Sequence, residues 1–517
     1  MKYKIIFFGA GGFLDKIISD DVLQKNTECL FICDNNEQLW GMCKYGYKIC
    51  SIDSLDCIGE VYDYIVITST YACEIRAQLR RKSIPESKIK TFEEYIGICL
   101  RGKFQKYICG NHSLEADNTK GVLIISPYIA FNGGSWAAVY ALIALRENGY
   151  RVYIAATGGD IKFIEAVNNL NIDVWIYPNL AFESLECMSW LPKVDYIIIN
   201  TYQMGQCIRN IRFDKRLIWW LHEAENYYND YNKIYDKLSI DDLRMTDIYA
   251  VSEFAREMFN RCYPEQNIKI LEYGIPDEYC ETVINGETSK KLIMAVVGTV
   301  CPRKGQDIFI KAINKLSDEE KSLCEFWIIG DSDDELYYKS IQELAIGNKY
   351  IYFFPCINHT DLMKLYNEID VIVSCSRQDP LPIVITEGMM WGKLCMVSDS
   401  IGTMRYVSSD EVLSFHNEDI DDLYKKIRIV IAPLRFGAGV KGKVVDALSM
   451  GVPVISTTIG FEGIPGTEEL LPCADDADAF AEEVVSLYDD YERLKEVSIK
   501  SRQLIEKYFS EDAAWNL

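Results

Sequence analysis

Short apolar runs alternate along the chain with longer stretches of helical periodicity, the pattern expected of strands and helices in a parallel α/β fold. The first run, KIIFF at residues 4–8, ends at Gly9, Gly11 and Gly12, and the second, CLFICDNN, delivers Asp34. YDYIVITST and the amphipathic ACEIRAQLRRKSI complete a small unit over residues 1–100. Glycine turn, helix, strand and acid in that order suit a nucleotide-binding module, although the third glycine of a GxGxxG motif falls on Leu14. The alternative is structural: a tight turn, with Asp34 capping a strand end.

After a polar connection at Gly110–Lys120, GVLIISP opens a second unit over residues 119–280. Its loop FNGGSWAAVY places Gly133 and Gly134 before an amphipathic helix, where a bare backbone lets amide N–H groups approach a ligand. RLIWWLHE delivers His222 to a strand end beside Glu223 and Glu225. The following AENYYNDYNKIY reads as a packed amphipathic helix or, alternatively, as an aromatic platform for an acceptor sugar. Ser252 and Gly274 either shape a cleft or serve as cap and turn. A third unit, residues 281–427, starts with KLIMAVVGTVCPRKGQ and continues through CEFWIIGD, KYIYFFP and EIDVIVSCS. From residue 428 the chain restarts a strand, loop, helix and strand. One constant offset aligns Glu387 with Asp446 and Gly392 with Gly451, so residues 428–517 read as a partial repeat with two closing helices. Such a half-sheet is expected to bury its strands against the preceding domain or another chain.

Composition narrows the function. A formal charge of −23 repels nucleic acid and anionic lipid, so a phosphate site must be a local basic pocket. No apolar run is long enough to span a bilayer and no cleavage site follows the N-terminal run, which suggests a cytoplasmic protein with at most peripheral membrane contact. The 18 cysteines show no CxxC pair and no zinc-finger spacing, so they read as buried small residues in a reducing compartment.

NGGSWAAVYALIALRENGY, AVSEFAREMF, EYGIPDE, VVGTVCPRKGQD, WIIGDSDDE, LMKLYNEIDVIVSCS and DPLPIVITEGMMWGK occur in the order found in family-4 glycosyltransferases, which this chain resembles over about residues 120–427. Residues 1–98 resemble a small Rossmann-like module found at the N-terminus of several bacterial glycan-modifying enzymes. The resemblance implies a GT-B architecture, two facing Rossmann-like domains with the donor held mostly by the second, to which this chain adds the N-terminal module and the C-terminal half-repeat. It further implies a retaining transferase without a bound metal or separate cofactor, moving sugar from a nucleotide-diphosphate sugar to a glycan or lipid-linked acceptor. Lys304 and Arg303 would neutralise the leaving diphosphate, beside Gly298 and with Thr299 where the family often has arginine. Asp379 and Glu387 match the paired-acid motif, the first nearer the sugar and the second on the ribose. Amides around Pro382 and Ile383 would face the diphosphate, and His222 would contact the donor sugar. In the repeat, Ala438 and Asp446 replace the two acids. The donor is therefore expected in the first copy, although Arg435, Lys441 and Lys443 are also phosphate candidates. A catalytically lapsed scaffold that senses nucleotide sugar and a sugar-nucleotide epimerase remain open alternatives.

Overall fold

The computed structural model describes residues 2–59, 61–108, 119–184, 187–189, 191, 194–211, 214, 216–276, 291–322, 324–332, 334–407, 411–427, 430–432, 442–449, 452–467 and 471–509. It divides into two compact units, Met1–Gly274 and Ile275–Leu517. Both are parallel α/β, as the alternation of runs requires.

The first unit holds two sheets. The six-stranded sheet runs Cys43–Lys44, Tyr47–Cys50, Thr27–Cys33, Tyr3–Phe8, Tyr64–Ile67, Ile89–Thr91, parallel except for the Cys43–Lys44 hairpin. The eight-stranded sheet runs Ile268–Ile270, Thr246–Ala250, Leu217–Leu221, Tyr196–Asn200, Gly121–Ser126, Arg151–Ala156, Asp173–Ile176, Gln105–Tyr107. Its central strand Gly121–Ser126 is buried along its whole length, because helices cover both faces. Gln105–Tyr107 carries no apolar run, lies beyond the expected end of the module at residue 100, and pairs antiparallel with Asp173–Ile176.

The N-terminal module is docked firmly on this second sheet's domain. Thr91 caps the helix Phe92–Cys99 in a reciprocal box with Glu94, and its hydroxyl also meets the Tyr235 hydroxyl at 3.1 Å. Ile234 packs into the module's own core beside Ile75 and Leu79. Gly97 is required on the same helix, since a Cβ there would lie 2.3 Å from the Asn179 side-chain oxygen.

The second unit is built on a six-stranded parallel sheet ordered Ile351–Phe354, Cys324–Ile329, Leu292–Val297, Val371–Ser374, Leu394–Ser398, Leu413–Phe415. Its two faces carry separate cores, one around Phe309, Ile313 and Phe326, the other around Tyr366, Ile385 and Trp391. Val430–Ala432 and Val454–Ser456 form a two-stranded sheet, and Val444, Leu448, Leu487, Val497 and Leu504 from the helices Gly442–Ser449, Ala477–Asp489 and Tyr491–Phe509 pack with Val454 and Ile455 as a hydrophobic cluster of their own. The terminal helices supply apolar cover for Val454 and Ile455. No helix among the described residues is long and apolar enough to cross a membrane.

Candidate functional site

In the second unit the chain winds outward from Leu292–Val297 on one side and resumes at the neighbouring strand Val371–Ser374 on the other. This reversal leaves a crevice at the strands' carboxyl ends, where open α/β sheets bind ligands. Gly298, with φ +132°, and Gly330, with φ +148°, let adjacent loops touch: a Cβ on Gly330 would lie 2.2 Å from the Gly298 carbonyl oxygen. Gly305, with φ +70°, has the same role against the next loop, because a Cβ there would lie 2.0 Å from the Cys375 oxygen.

That close approach brings residues from the two loops together. Lys304 Nζ donates to Asp379 Oδ2 at 2.6 Å, and Arg303 lies 3.4 Å from the same oxygen while donating to the Gln378 carbonyl at 2.9 Å. Burial pushes the Asp379 carboxyl up, but the charges of Lys304 and Arg303 outweigh it and hold the group below the usual carboxylate range. Lys304 and Asp379 are largely buried, whereas Arg303 is partly exposed. Thr299 accepts the Gln306 side-chain amide on its carbonyl, at 3.1 Å.

A second ion pair, between residues that no sequence motif marks as partners, clamps the loops. Arg377 grips Asp307 with two bonds of 3.0 Å, donates to the Pro302 carbonyl and pairs with Glu418 at 2.6 Å. Its backbone N–H also donates to the Arg303 carbonyl, at 2.8 Å. Although burial opposes ionisation, Arg377, Lys311 and Tyr337 hold Asp307 far below the usual carboxylate range.

Pro382 is the N-cap of the helix Ile383–Met390, so it has no N–H to offer; among the residues expected to face phosphate there, Ile383 supplies the first helical amide. Glu387 lies one turn further on, 3% exposed, with Tyr366 donating to Oε2 at 2.8 Å and His359 Nε2 3.4 Å from Oε1. Asn358 caps the helix His359–Tyr366, and His359 is its first residue, with its ring against Glu387.

The other candidates belong to the first unit, at the carboxyl ends of three neighbouring strands. Asn132 caps the helix Gly133–Glu147, whose Gly134 carbonyl accepts Asn200 Nδ2 at 3.2 Å. His222 follows Leu217–Leu221; its Nε2 is sealed from solvent without a protein partner, and burial pushes its pKa down to about 3, leaving a neutral ring. Beside it Glu223 accepts backbone N–H bonds from His222 at 2.9 Å and Tyr202 at 2.7 Å. Burial nevertheless pushes the Glu223 carboxyl up to about 7. Ser252 resolves as a helix cap, accepting Ala255 N–H at 3.1 Å. Asp34 resolves as the turn cap: it takes the Ala10 and Asn36 amides, each at 2.7 Å. In the half-repeat, Lys443 and Asp446 lie on the helix Gly442–Ser449, while Arg435, Ala438 and Lys441 fall outside the described residues.

Residues 281–432 match the family model described as Glycosyl transferases group 1, and residues 408–490 match a second model of the same description. The second match spans most of the half-repeat, and residues 1–90 match a model described as C2185-like, N-terminal. An uncharacterized glycosyltransferase of Methanocaldococcus jannaschii is 23% identical over 306 residues, covering 52% of this chain and 76% of that protein. Among solved structures, Anabaena HepE in complex with UDP and glucose is 13% identical, covers 76% of this chain and 96% of its own, and superposes with a TM-score of 0.49. A glycosyltransferase from Rickettsia africae is 15% identical over 77% of this chain and 96% of its own, with a TM-score of 0.47.

Proposed function

We propose that the chain is a retaining glycosyltransferase that moves a hexosyl unit from a nucleotide-diphosphate sugar to a glycan or lipid-linked acceptor in polysaccharide or cell-surface glycan synthesis. The observation that carries this reading is the meeting of Lys304, Arg303 and Asp379 at the crevice of the third sheet, inside a segment that matches group 1 glycosyl transferases. In the reaction the bond from the anomeric carbon to the diphosphate oxygen breaks, a bond to the acceptor oxygen forms on the same face, and the acceptor proton leaves with the diphosphate. Negative charge develops on the leaving oxygen. Lys304 and Arg303 are placed to balance it, with Asp379 holding the lysine in position until the donor arrives. Glu387, fixed by Tyr366 and His359, is the group assigned to the ribose hydroxyls, and Ile383 opens the row of helix amides assigned to the diphosphate. A neutral His222 suits a hydrogen bond to a sugar hydroxyl better than proton abstraction.

The test is a screen of UDP-, GDP-, ADP- and dTDP-sugars against the full-length protein, read as release of free nucleoside diphosphate and as transfer to added saccharides. Release from one donor class is expected. Tight donor binding with no release across the panel would replace the enzyme by a sensor, and interconversion of the donor sugar without acceptor dependence would replace it by an epimerase.

A further inference from the structure

The first unit contains a cavity of about 410 Å³, lined by the tyrosine helix and within the range of about 300–1,000 Å³ typical of ligand pockets. Its floor comes from connections at the carboxyl ends of four strands: Thr157 follows Arg151–Ala156, Pro178 follows Asp173–Ile176, Gln203 follows Tyr196–Asn200, and Tyr227 lies on the helix after Leu217–Leu221. The opposite wall is Phe92, Glu93 and Ile96 on the docked helix of the N-terminal module.

The lining is aromatic and acidic. Tyr227, Tyr231 and Tyr235 recur every fourth residue along Glu225–Ile234 and its C-cap, and Phe182 stacks on Tyr235 with ring centroids 5.9 Å apart. Their hydroxyls are tethered: Tyr231 donates to the Gln203 carbonyl at 2.6 Å, Tyr227 to the Gln203 side chain at 3.1 Å, and Tyr235 meets Thr91. Glu93 and Asp230, the latter paired with Lys233 at 2.8 Å, add two carboxylates, and among the described residues no lysine, arginine or histidine lines the cavity. Phosphate or carboxylate ligands would be repelled. A neutral pyranose fits this chemistry, with C–H faces against tyrosine rings and hydroxyls donating to carboxylates.

We infer that this cavity binds an uncharged sugar of the acceptor, and that the N-terminal module contributes one wall of it, making Phe92 and Glu93 specificity-determining residues. Its role as an acceptor subsite rests on the glycosyl transfer proposed above. His222 and the tyrosine helix share one connection, separated only by Glu223 and Ala224, so occupancy of the cavity places an acceptor on the same strand-end face as His222.

The experiment uses full-length protein with glucose, galactose, N-acetylglucosamine, lactose and cellobiose as probes, read by saturation-transfer NMR and, with the donor found in the nucleotide-sugar screen, by acceptor KM. Tyr227→Ala and Glu93→Gln alter exposed residues; thermal melts establish that each is folded. At least one saccharide should bind, and each variant should weaken its Kd and raise its KM by about tenfold. Absence of binding by all five saccharides, parental Kd values in both folded variants, or displacement of the saccharide by choline would overturn the inference. Nucleotide release by the unaltered protein tests glycosyl transfer separately. Release with no saccharide binding leaves that reading standing and removes this one; saccharide binding that Tyr227→Ala abolishes, without release from any donor, removes that reading and the acceptor role with it and leaves the cavity as a sugar-binding site.

Discussion

Lys304→Ala separates the two consequences of one ion pair. Asp379 is 6% exposed and holds Lys304 at 2.6 Å, with Arg303 the further cation at 3.4 Å. Breaking a buried pair by removing one partner costs about 3–5 kcal/mol; the remaining Arg303, partly solvated, should reduce this to about 2–3 kcal/mol. For a unit of this size that is a fall in Tm of about 5–10 °C. The deficit should shrink at acid pH: Asp379 titrates low in the parent, loses its main stabilising charge in the variant, and is penalised only while ionised. Loss of charge stabilisation on the leaving diphosphate should lower kcat by about 10²–10³. A second substitution, Asp379→Asn, in the Lys304→Ala background should recover most of the lost Tm and none of the turnover. Differential scanning calorimetry and a coupled nucleoside-diphosphate assay read the two effects. A Lys304→Ala protein within tenfold of parental turnover would refute the catalytic assignment, and failure of Asp379→Asn to recover Tm would refute the energetic one.

Gly305→Ala forces a Cβ to 2.0 Å from the Cys375 oxygen at φ +70°, so it should destabilise the second unit by about 2–4 kcal/mol in urea denaturation and weaken donor binding in calorimetry. Glu223, raised to about 7 from 4.5, stabilises the fold below pH 4.5 and loses that contribution as pH rises to 7. Glu223→Gln should therefore gain on the order of 2 kcal/mol relative to the parent between pH 4.5 and 7; the opposing effect of His222, lost as pH falls from 6.5 towards 3, is common to both proteins. A flat stability difference across that window would contradict the burial of Glu223. Leu487→Ala, at a fully buried position, should cost about 2–4 kcal/mol locally. Hydrogen exchange should accelerate in 442–509 while Leu292–Val297 keeps its protection; equal acceleration in both would show one cooperative core.

Much of the crevice around Gly298 and Gly305 was legible because it rests on backbone requirements that sequence displays directly. Glycines at 298 and 305 and the lysine between them announce a loop that must come close to something. What that loop meets was less visible. Arg377 and Asp307 are seventy residues apart, and nothing in their local pattern marks them as a pair until the sheet order brings their loops together. His359 and Tyr366 escaped for the same reason: each lies in an ordinary amphipathic helix, and only packing against Ile383–Met390 turns them towards Glu387. Pro382 shows the opposite failure, a residue chosen by position in a motif although its chemistry lacks the donor required. The half-repeat was visible as spacing, but the partners of its closing helices were not, because apolar periodicity in Ala477–Asp489 and Tyr491–Phe509 does not name the surface it covers.

The seam between the N-terminal module and the domain that follows also constrains how such a chain can be rebuilt. Ile234 completes a core that belongs to the module, Tyr235 satisfies the module's helix cap, and Gly97 makes room for Asn179. A cut at residue 100 would leave each half with an unfilled socket, so recombination or engineering that exchanged the module alone would yield a mismatched joint. The heritable part is larger than either fold: it includes Phe92–Cys99 and Glu225–Ile234 together, two helices from different domains that must change in step.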